Sequence, residues 1–392
     1  METLAPASID ELCDMIARAA SSGEKLDIRG GGSKAAIGWP DRAAAILDMT
    51  GFSGILDYDP AELVITLGAG TRLSEVSKLL AEHGQELAFD PFDYAAVLDG
   101  PVEQSTIGGV VAAGVCGPRA ISRGRPRDHV LGFEAVSGRA EQFQAGGKVV
   151  KNVTGYDLPK LLAGSWGRLA ALTSLTLRTV PRPEFACSLG CKGLAPGKAL
   201  DAQARAMTSS AGVSAAAHMP AGSLGDEAMT MLRLDGFEIG VRSRLEDLRR
   251  LLAEFGDWQP VDNASENGFW SDIRSAKPLS QSPLLWRAVL PPSSAQALAQ
   301  ELERHGASWF ADWAGSLFWI GLDHPDIDIR AVLQPLGGHA TLIRAPVSIR
   351  AHTPALTLPE RGLAQLNDRV RKGFDPHGVF EAGRFMDIHN AN

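Results

Sequence analysis

The chain has 392 residues, 45% of them hydrophobic and 21% charged, with a net charge of −8. That is enough apolar material for two or three packed domains and excludes a disordered or fibrous chain. The acidic balance disfavours binding along a nucleic-acid backbone, and no apolar run approaches the 18 residues that a membrane span requires.

The first predicted element is an amphipathic helix rather than a secretory leader. Ser8 and Glu11 form a capping-box pattern, and Ile9, Leu12 and Ile16 share one face. Short apolar runs at Leu26–Ile28, Ala45–Met49 and Leu63–Leu67 are read as strands. The third runs into Gly68-Ala-Gly70 and a helix carrying Leu73, Val76, Leu79 and Leu80, with Gly84 as its stop. Residues 85–128 are rich in small residues and show little periodicity. A strand at His129–Val136 turns at Ser137-Gly138 into Glu141–Gln144; a helix at Asp157–Ala163 and a strand at Leu172–Val180 follow. Pro181-Arg-Pro183 closes a first α+β domain, residues 1–182.

The second domain, residues 183–350, contains the order β-α-β-β-α-β between Leu284 and Ile343, the split ferredoxin-like arrangement. Met229–Leu234 and a helix over Val241–Phe255 are expected to extend the same sheet, with no internal repeat. Trp286, Trp309, Trp313 and Trp319 are read either as an interaction surface or as buried aromatics. Residues 351–392 form a helix over Leu358–Lys372 and a turn-rich tail. The cysteines, Cys13, Cys116, Cys187 and Cys191, are too few and scattered for a disulfide framework, and Cys187 and Cys191 lack the further ligands of a metal site. They are expected to be free thiols, and no metal is expected.

Glycine is abundant, 42 residues, and it clusters. Arg29-Gly30-Gly31-Gly32-Ser33-Lys34 follows a strand; successive glycines can turn several N–H groups onto one anion, flanked here by cations and a hydroxyl. It matches neither a Walker A motif nor a Rossmann fingerprint, and by itself it reads equally well as a flexible loop. In Ser105-Thr106-Ile107-Gly108-Gly109-Val-Val-Ala-Ala113-Gly114-Val-Cys-Gly117 nearly every side chain is small. That stretch accommodates either something flat lying against it or a tight helix–sheet contact. The third cluster runs from Gly146-Gly-Lys-Val-Val-Lys-Asn152-Val153-Thr154-Gly-Tyr-Asp-Leu-Pro-Lys-Leu161 to Gly164-Ser-Trp-Gly-Arg168-Leu169.

In that order and at those separations, the clusters resemble the FAD-binding domain of the vanillyl-alcohol oxidase / p-cresol methylhydroxylase (PCMH-type) superfamily. The Lys-Asn-Val-Thr-Gly-Tyr-Asp-Leu-Pro-Lys-Leu form and the tail Phe374-Asp-Pro-His-Gly-Val-Phe380 are most similar to the family of smaller FAD-binding subunits of bacterial glycolate oxidases. The resemblance implies an FAD-binding domain of two α+β subdomains, with a ferredoxin-like cap over the reactive face of a flavin held without a covalent bond. It assigns Arg29, Gly30, Gly31, Gly32, Ser33 and Lys34 to the FAD pyrophosphate. Ser105, Thr106, Ile107, Gly108, Gly109, Ala113, Gly114 and Gly117 are assigned along the dinucleotide, and Asp90 and Pro91 to a nearby turn. Asn152, Val153 and Thr154 are assigned to the flavin edge, and Arg384 returns to the ring system.

There are two departures from the family pattern. Arg168 stands where the family has a small hydroxyl residue. The His/Glu-rich metal motif of related D-2-hydroxyacid dehydrogenases is represented only by Gly337-Gly-His339-Ala-Thr-Leu342. Oxidising a 2-hydroxy acid takes a base, a carboxylate clamp and a hydride acceptor. His339 is the candidate base, with Lys151 behind it, and Arg287 and Arg344 are the candidate clamps. The resemblance implies a subunit that relays electrons alongside a larger FAD-binding subunit and an iron–sulfur subunit, in the cytoplasm or, through its complex, at the periphery of the inner membrane. A stand-alone FAD-dependent 2-hydroxyacid dehydrogenase and a non-catalytic assembly scaffold are the alternatives.

Overall fold

The computed structural model describes residues 2–40, 43–98, 100, 103–148, 156–223, 225–380 and 383–385. The chain divides into two compact units. The first comprises residues 1–116, 124–182 and 350–392, and the second residues 117–123 and 183–349.

The first unit holds two α+β subdomains. In the smaller, strands β1 (Glu2–Leu4), β2 (Leu26–Arg29) and β3 (Ala45–Asp48) form a parallel sheet in the order β1-β3-β2. The helix Ile9–Ser22 covers it with Leu12, Ile16 and Ala19. Its first turn is capped as the sequence predicts, Glu11 N–H donating to Ser8 Oγ at 3.2 Å. The Glu11 carboxylate reaches back to the N–H of Ala7 rather than to that of Ser8. The tail closes this core: Val379 and Phe380 are buried in it, and the Val379 carbonyl accepts from Leu26 N–H at 2.8 Å. Asp375 shapes the tail by accepting from the N–H groups of Val379 and Phe380, both at 2.8 Å.

In the larger subdomain, β4 (Ile55–Asp59), β5 (Val64–Gly68), β6 (Gln85–Leu87), β7 (Val130–Ser137), β8 (Gln142–Gly146) and β9 (Ala170–Pro181) form an antiparallel sheet. Its path is β4-β5-β9-β7-β8, with β6 on β9. The helices Leu73–Glu82, Ile107–Ala113 and Leu158–Leu162 bury Val76, Leu80, Ile107, Val110 and Leu162 against it. Gly84 follows the first of these helices at φ +65°, the left-handed stop its sequence predicts. The helix Ile107–Ala113 was not visible in the periodicity, because two glycines weaken its intrinsic propensity; the Thr106 cap and burial of Val110 and Val111 hold it instead.

The second unit is one eight-stranded antiparallel sheet. Its strands are β10 (Phe185–Lys192), β11 (Ala215–Met219), β12 (Met229–Gly236), β13 (Gln259–Pro260), β14 (Leu284–Val289), β15 (Ser308–Asp312), β16 (Leu317–Leu322) and β17 (His339–Arg344). The order β13-β10-β12-β11-β15-β16-β14-β17 reads outward from its centre as the same split β-α-β-β-α-β unit twice, with the two halves joined where His218 on β11 pairs with Ala311 on β15. The sequence reading placed one such unit and no repeat; the structure shows two. One core lies under the helices Pro196–Met207 and Glu238–Leu251, and the other under Ala295–Arg304 and Ile329–Leu333. Trp286, Trp309, Trp313 and Trp319 are all buried, which removes them as an interaction surface. Among the described residues no helix is long and apolar enough to cross a membrane.

Candidate functional site

The two glycine clusters of the first unit pack directly on each other. Strand β2 delivers Arg29 into Gly30-Gly31-Gly32, and a Cβ on Gly31 would lie 1.4 Å from the Gln104 carbonyl oxygen. One on Gly30 would lie 2.1 Å from Thr106 Oγ1. Gly32 adopts φ +73°, which disfavours any side chain. Gly108 in turn sits on Ala69, where a Cβ would come within 2.7 Å of the carbonyl oxygen. The glycines are therefore needed for backbone-to-backbone approach, which excludes a merely flexible loop.

That approach builds an open cavity whose described lining lies wholly within the first unit. Arg29, Gly30, Gly31, Gly32, Ser33 and Lys34 line one wall, Thr106, Gly108, Gly109 and Ala113 another. Ser33 and Ser105 join the walls through their hydroxyls, 3.0 Å apart and buried. The remaining wall, to which the sequence assigns no cofactor role, is made by Met49 after β3, Ala69 after β5, Trp166 and Gly167 of the third glycine cluster, and the start of β9. Trp166 is held at φ +58°, outside its comfortable range by about 1 kcal/mol, and its N–H donates to the Ala112 carbonyl at 2.8 Å. Its ring packs on Phe385. Gly-Ser-Trp-Gly was the available signal for this wall: a large ring bracketed by glycines.

The charges of the site are arranged unequally. Arg29 Nε donates to Asp27 Oδ2 at 2.6 Å, and Arg384 Nη1 lies 3.5 Å from Asp27 Oδ1. Arg384 also donates to the Lys34 and Ile37 carbonyls. It lines the cavity, and its guanidinium is tied to the loop backbone and to Asp27. Lys34 donates to Ser33 Oγ at 3.2 Å, and burial pushes its ammonium down to about 8, with Asp93 opposing the fall and Arg384 adding to it. A concave wall with close-packed glycine backbone and a desolvated cation suits a dinucleotide's phosphates. The residues present fit FAD.

Several expected residues fall elsewhere. Asp90 is buried and Pro91 bridges to Cys116; neither is in the cavity wall. Ile107 is a core residue, and Gly114 is a helix C-cap at φ +63° packed on Gly164. Gly117 belongs to the second unit, where its carbonyl accepts from Trp313 Nε1 at 2.9 Å. Arg168 is not in the cavity wall, although its neighbours Gly167 and Ala170 are. Lys151, Asn152, Val153 and Thr154 lie outside the described residues.

The candidate catalytic residues are all in the second unit. Arg287 stacks on the Trp313 ring at 4.8 Å. Arg344 donates to the carbonyls of Leu279 (2.6 Å) and Ser282 (2.9 Å). His339 is exposed at the start of β17, opposite Val289. His339 and Arg287 share one face of the sheet, whereas Arg344 is committed to a turn. Among the described residues no three His, Cys, Asp or Glu side chains gather as a metal site would need.

Comparison with known proteins extends these observations. The model of an FAD-binding domain matches residues 3–146. The chain is 32% identical, over 375 residues, to the glycolate oxidase subunit GlcE of Escherichia coli, covering 95% of this chain and 96% of that protein. It is 32% identical over 177 residues to a D-lactate dehydrogenase of Archaeoglobus fulgidus, and 29% identical over 182 residues to the glycolate oxidase subunit GlcD of Bacillus subtilis. Those two matches span 45% and 46% of this chain but only 38% and 37% of the longer relatives. In fold the chain is similar to alkyldihydroxyacetonephosphate synthase, with a TM-score of 0.67 at 14% identity over 96% of this chain and 76% of that one.

Proposed function

The chain belongs to the GlcE family of FAD-binding glycolate oxidase subunits, and from that premise we propose that it is the FAD-bearing relay subunit of a multi-subunit 2-hydroxyacid oxidase. The observation that carries this reading is the cradle formed by the two interlocked glycine runs, with Lys34 facing into it. FAD bound there supplies an isoalloxazine ring able to accept two electrons.

This chain's own residues then bind and orient. Gly30, Gly31 and Gly32 bring backbone close to the diphosphate, Lys34 supplies the charge, and Arg384 fixes the loop. Arg287 and Arg344 already have partners in the second unit, on an aromatic ring and on backbone carbonyls. That supports placing substrate oxidation on the larger FAD-binding subunit, with an iron–sulfur subunit as the further electron carrier. A second reading, direct oxidation of a small 2-hydroxy acid by this chain, draws on the similarity to D-lactate dehydrogenase.

Anaerobic addition of glycolate to the isolated, FAD-loaded chain separates the two. A visible spectrum that stays oxidised until the partner subunits are added is the result expected of a relay. Bleaching by glycolate alone makes the chain a dehydrogenase in its own right.

A further inference from the structure

Among the described residues, three cations line the cavity: Arg29, Lys34 and Arg384. The two arginines are both committed to Asp27, which is buried between them. Lys34 is different. Among the described residues no carboxylate lies within ion-pair distance of its Nζ, and its side-chain hydrogen bond goes to a neutral hydroxyl, Ser33 Oγ at 3.2 Å. The ammonium borders the second glycine run: a Cβ on Gly109 would lie 3.8 Å from Nζ, an ordinary van der Waals distance. A half-buried cation without a counter-ion leaves its charge uncompensated, which suits an anion that arrives later.

We propose that the Lys34 ammonium is the counter-charge of the cofactor's diphosphate, and that in alkaline solution the site takes up a proton at Lys34 as the diphosphate enters. This rests on the reading of the cavity as the FAD site and adds a regulatory property to it. The charged groups that bear on Lys34 are Asp93, from the turn before Tyr94, and Arg384, from the C-terminal segment. Asp93 favours the charged form and Arg384 the neutral one; the helix Ile107–Ala113 opposite contributes no charge. Burial outweighs Asp93, so the ammonium of the free site is half neutral at about pH 8. An entering diphosphate favours the charged form, and the difference is drawn from solvent as a proton.

The test is titration of the flavin-free chain with FAD and with ADP, which carries the diphosphate without the flavin, at pH 7 and pH 9. For FAD, whose diphosphate diester does not titrate in this range, the affinity of the wild type is expected to fall about tenfold over that interval, the slope of one linked proton above a midpoint near 8; ADP should show a smaller fall, because its terminal phosphate gains negative charge over the same interval. Calorimetry at pH 9 in two buffers of different ionisation enthalpy should register proton uptake, and much less of it at pH 7. Lys34→Arg keeps its charge at both values and should bind FAD about equally at each, with pH 7 affinity near that of the wild type. Lys34→Met should bind more weakly at pH 7 and show no fall. A wild-type FAD affinity that changes less than twofold between pH 7 and pH 9 overturns the proposal, and so does a Lys34→Met protein, folded by circular dichroism, that keeps the tenfold fall. If neither FAD nor ADP binds the wild type at pH 7, the reading of the cavity itself fails with it.

Discussion

Arg384 Nη2 donates to the carbonyl oxygen of Lys34 at 2.6 Å, joining residues 350 positions apart. The same guanidinium donates to the Ile37 carbonyl and pairs with Asp27, while its own carbonyl accepts from Trp39 N–H at 3.0 Å. Gly38, at φ +93°, lets the two segments meet, since a Cβ there would lie 2.5 Å from the Arg384 carbonyl oxygen. The C-terminal segment is thus a brace for the glycine loop.

Arg384→Ala is expected to remove that brace. It leaves Asp27 buried with one partner fewer and frees the loop carbonyls, at a cost of about 2–3 kcal/mol in stability. FAD affinity is expected to fall by about tenfold or more. Arg384→Lys should recover only part of this, because one ammonium cannot reach two carbonyls and a carboxylate in the geometry of a guanidinium. Thermal unfolding and FAD titration of both variants measure it. Wild-type affinity in Arg384→Ala would show that the brace does not shape the site.

A second prediction concerns acid. His218 lies at the seam of the duplicated sheet, fully buried, with Nδ1 2.9 Å from Thr230 Oγ1 and Nε2 without a hydrogen-bond partner among the described residues. Burial pushes its imidazole down to about 4. Between pH 6.5 and 4 the unfolded chain therefore binds a proton that the folded chain refuses, so stability falls as pH drops through that window. The loss is about 3 kcal/mol by pH 4. His218→Gln, which cannot titrate, should unfold with a shallower pH dependence between pH 6.5 and 4; an unchanged slope would remove His218 as the cause.

The placement of His339 makes a third. It is exposed at the beginning of an edge strand, and the nearest candidate clamp on its face, Arg287, is stacked on Trp313. Under the relay reading, His339→Ala leaves FAD content unchanged and turnover of the assembled complex within about twofold. Normal FAD content with turnover down by about a hundredfold or more would assign His339 the general-base role and favour the dehydrogenase reading.

How far these features could be read from the sequence differed with the physics behind them. The glycine runs were legible because backbone sterics act locally: three glycines after a strand say that something comes close, although not what. Here that neighbour is Gln104 and Thr106. Of the remaining wall only Trp166 carries a signal, its flanking glycines; Met49 and Ala69 reach the cavity from different strand ends and belong to no motif. The duplication escaped for another reason. Its inner strand Ala215-Ala-Ala-His-Met219 is buried on both faces and so shows no alternation, and the outer strand of that half, Gln259–Pro260, is only two residues long. The second half, with aromatic and β-branched strands, announced the motif that the first half concealed.

Flavin content of the purified chain tests the central claim most directly, with wild type, Gly31→Ala and Gly147→Ala measured together. Gly31 has no room for a methyl group against the Gln104 carbonyl, whereas Gly147 has nothing among the described residues within 4 Å of an added Cβ. Wild type and Gly147→Ala should be yellow with about one FAD per chain, and Gly31→Ala should be folded and colourless, as should Gly31→Asp, which adds a carboxylate against the diphosphate. A Gly31→Ala protein that retains one FAD per chain would contradict the account, because it would place the cofactor somewhere other than between the two glycine runs.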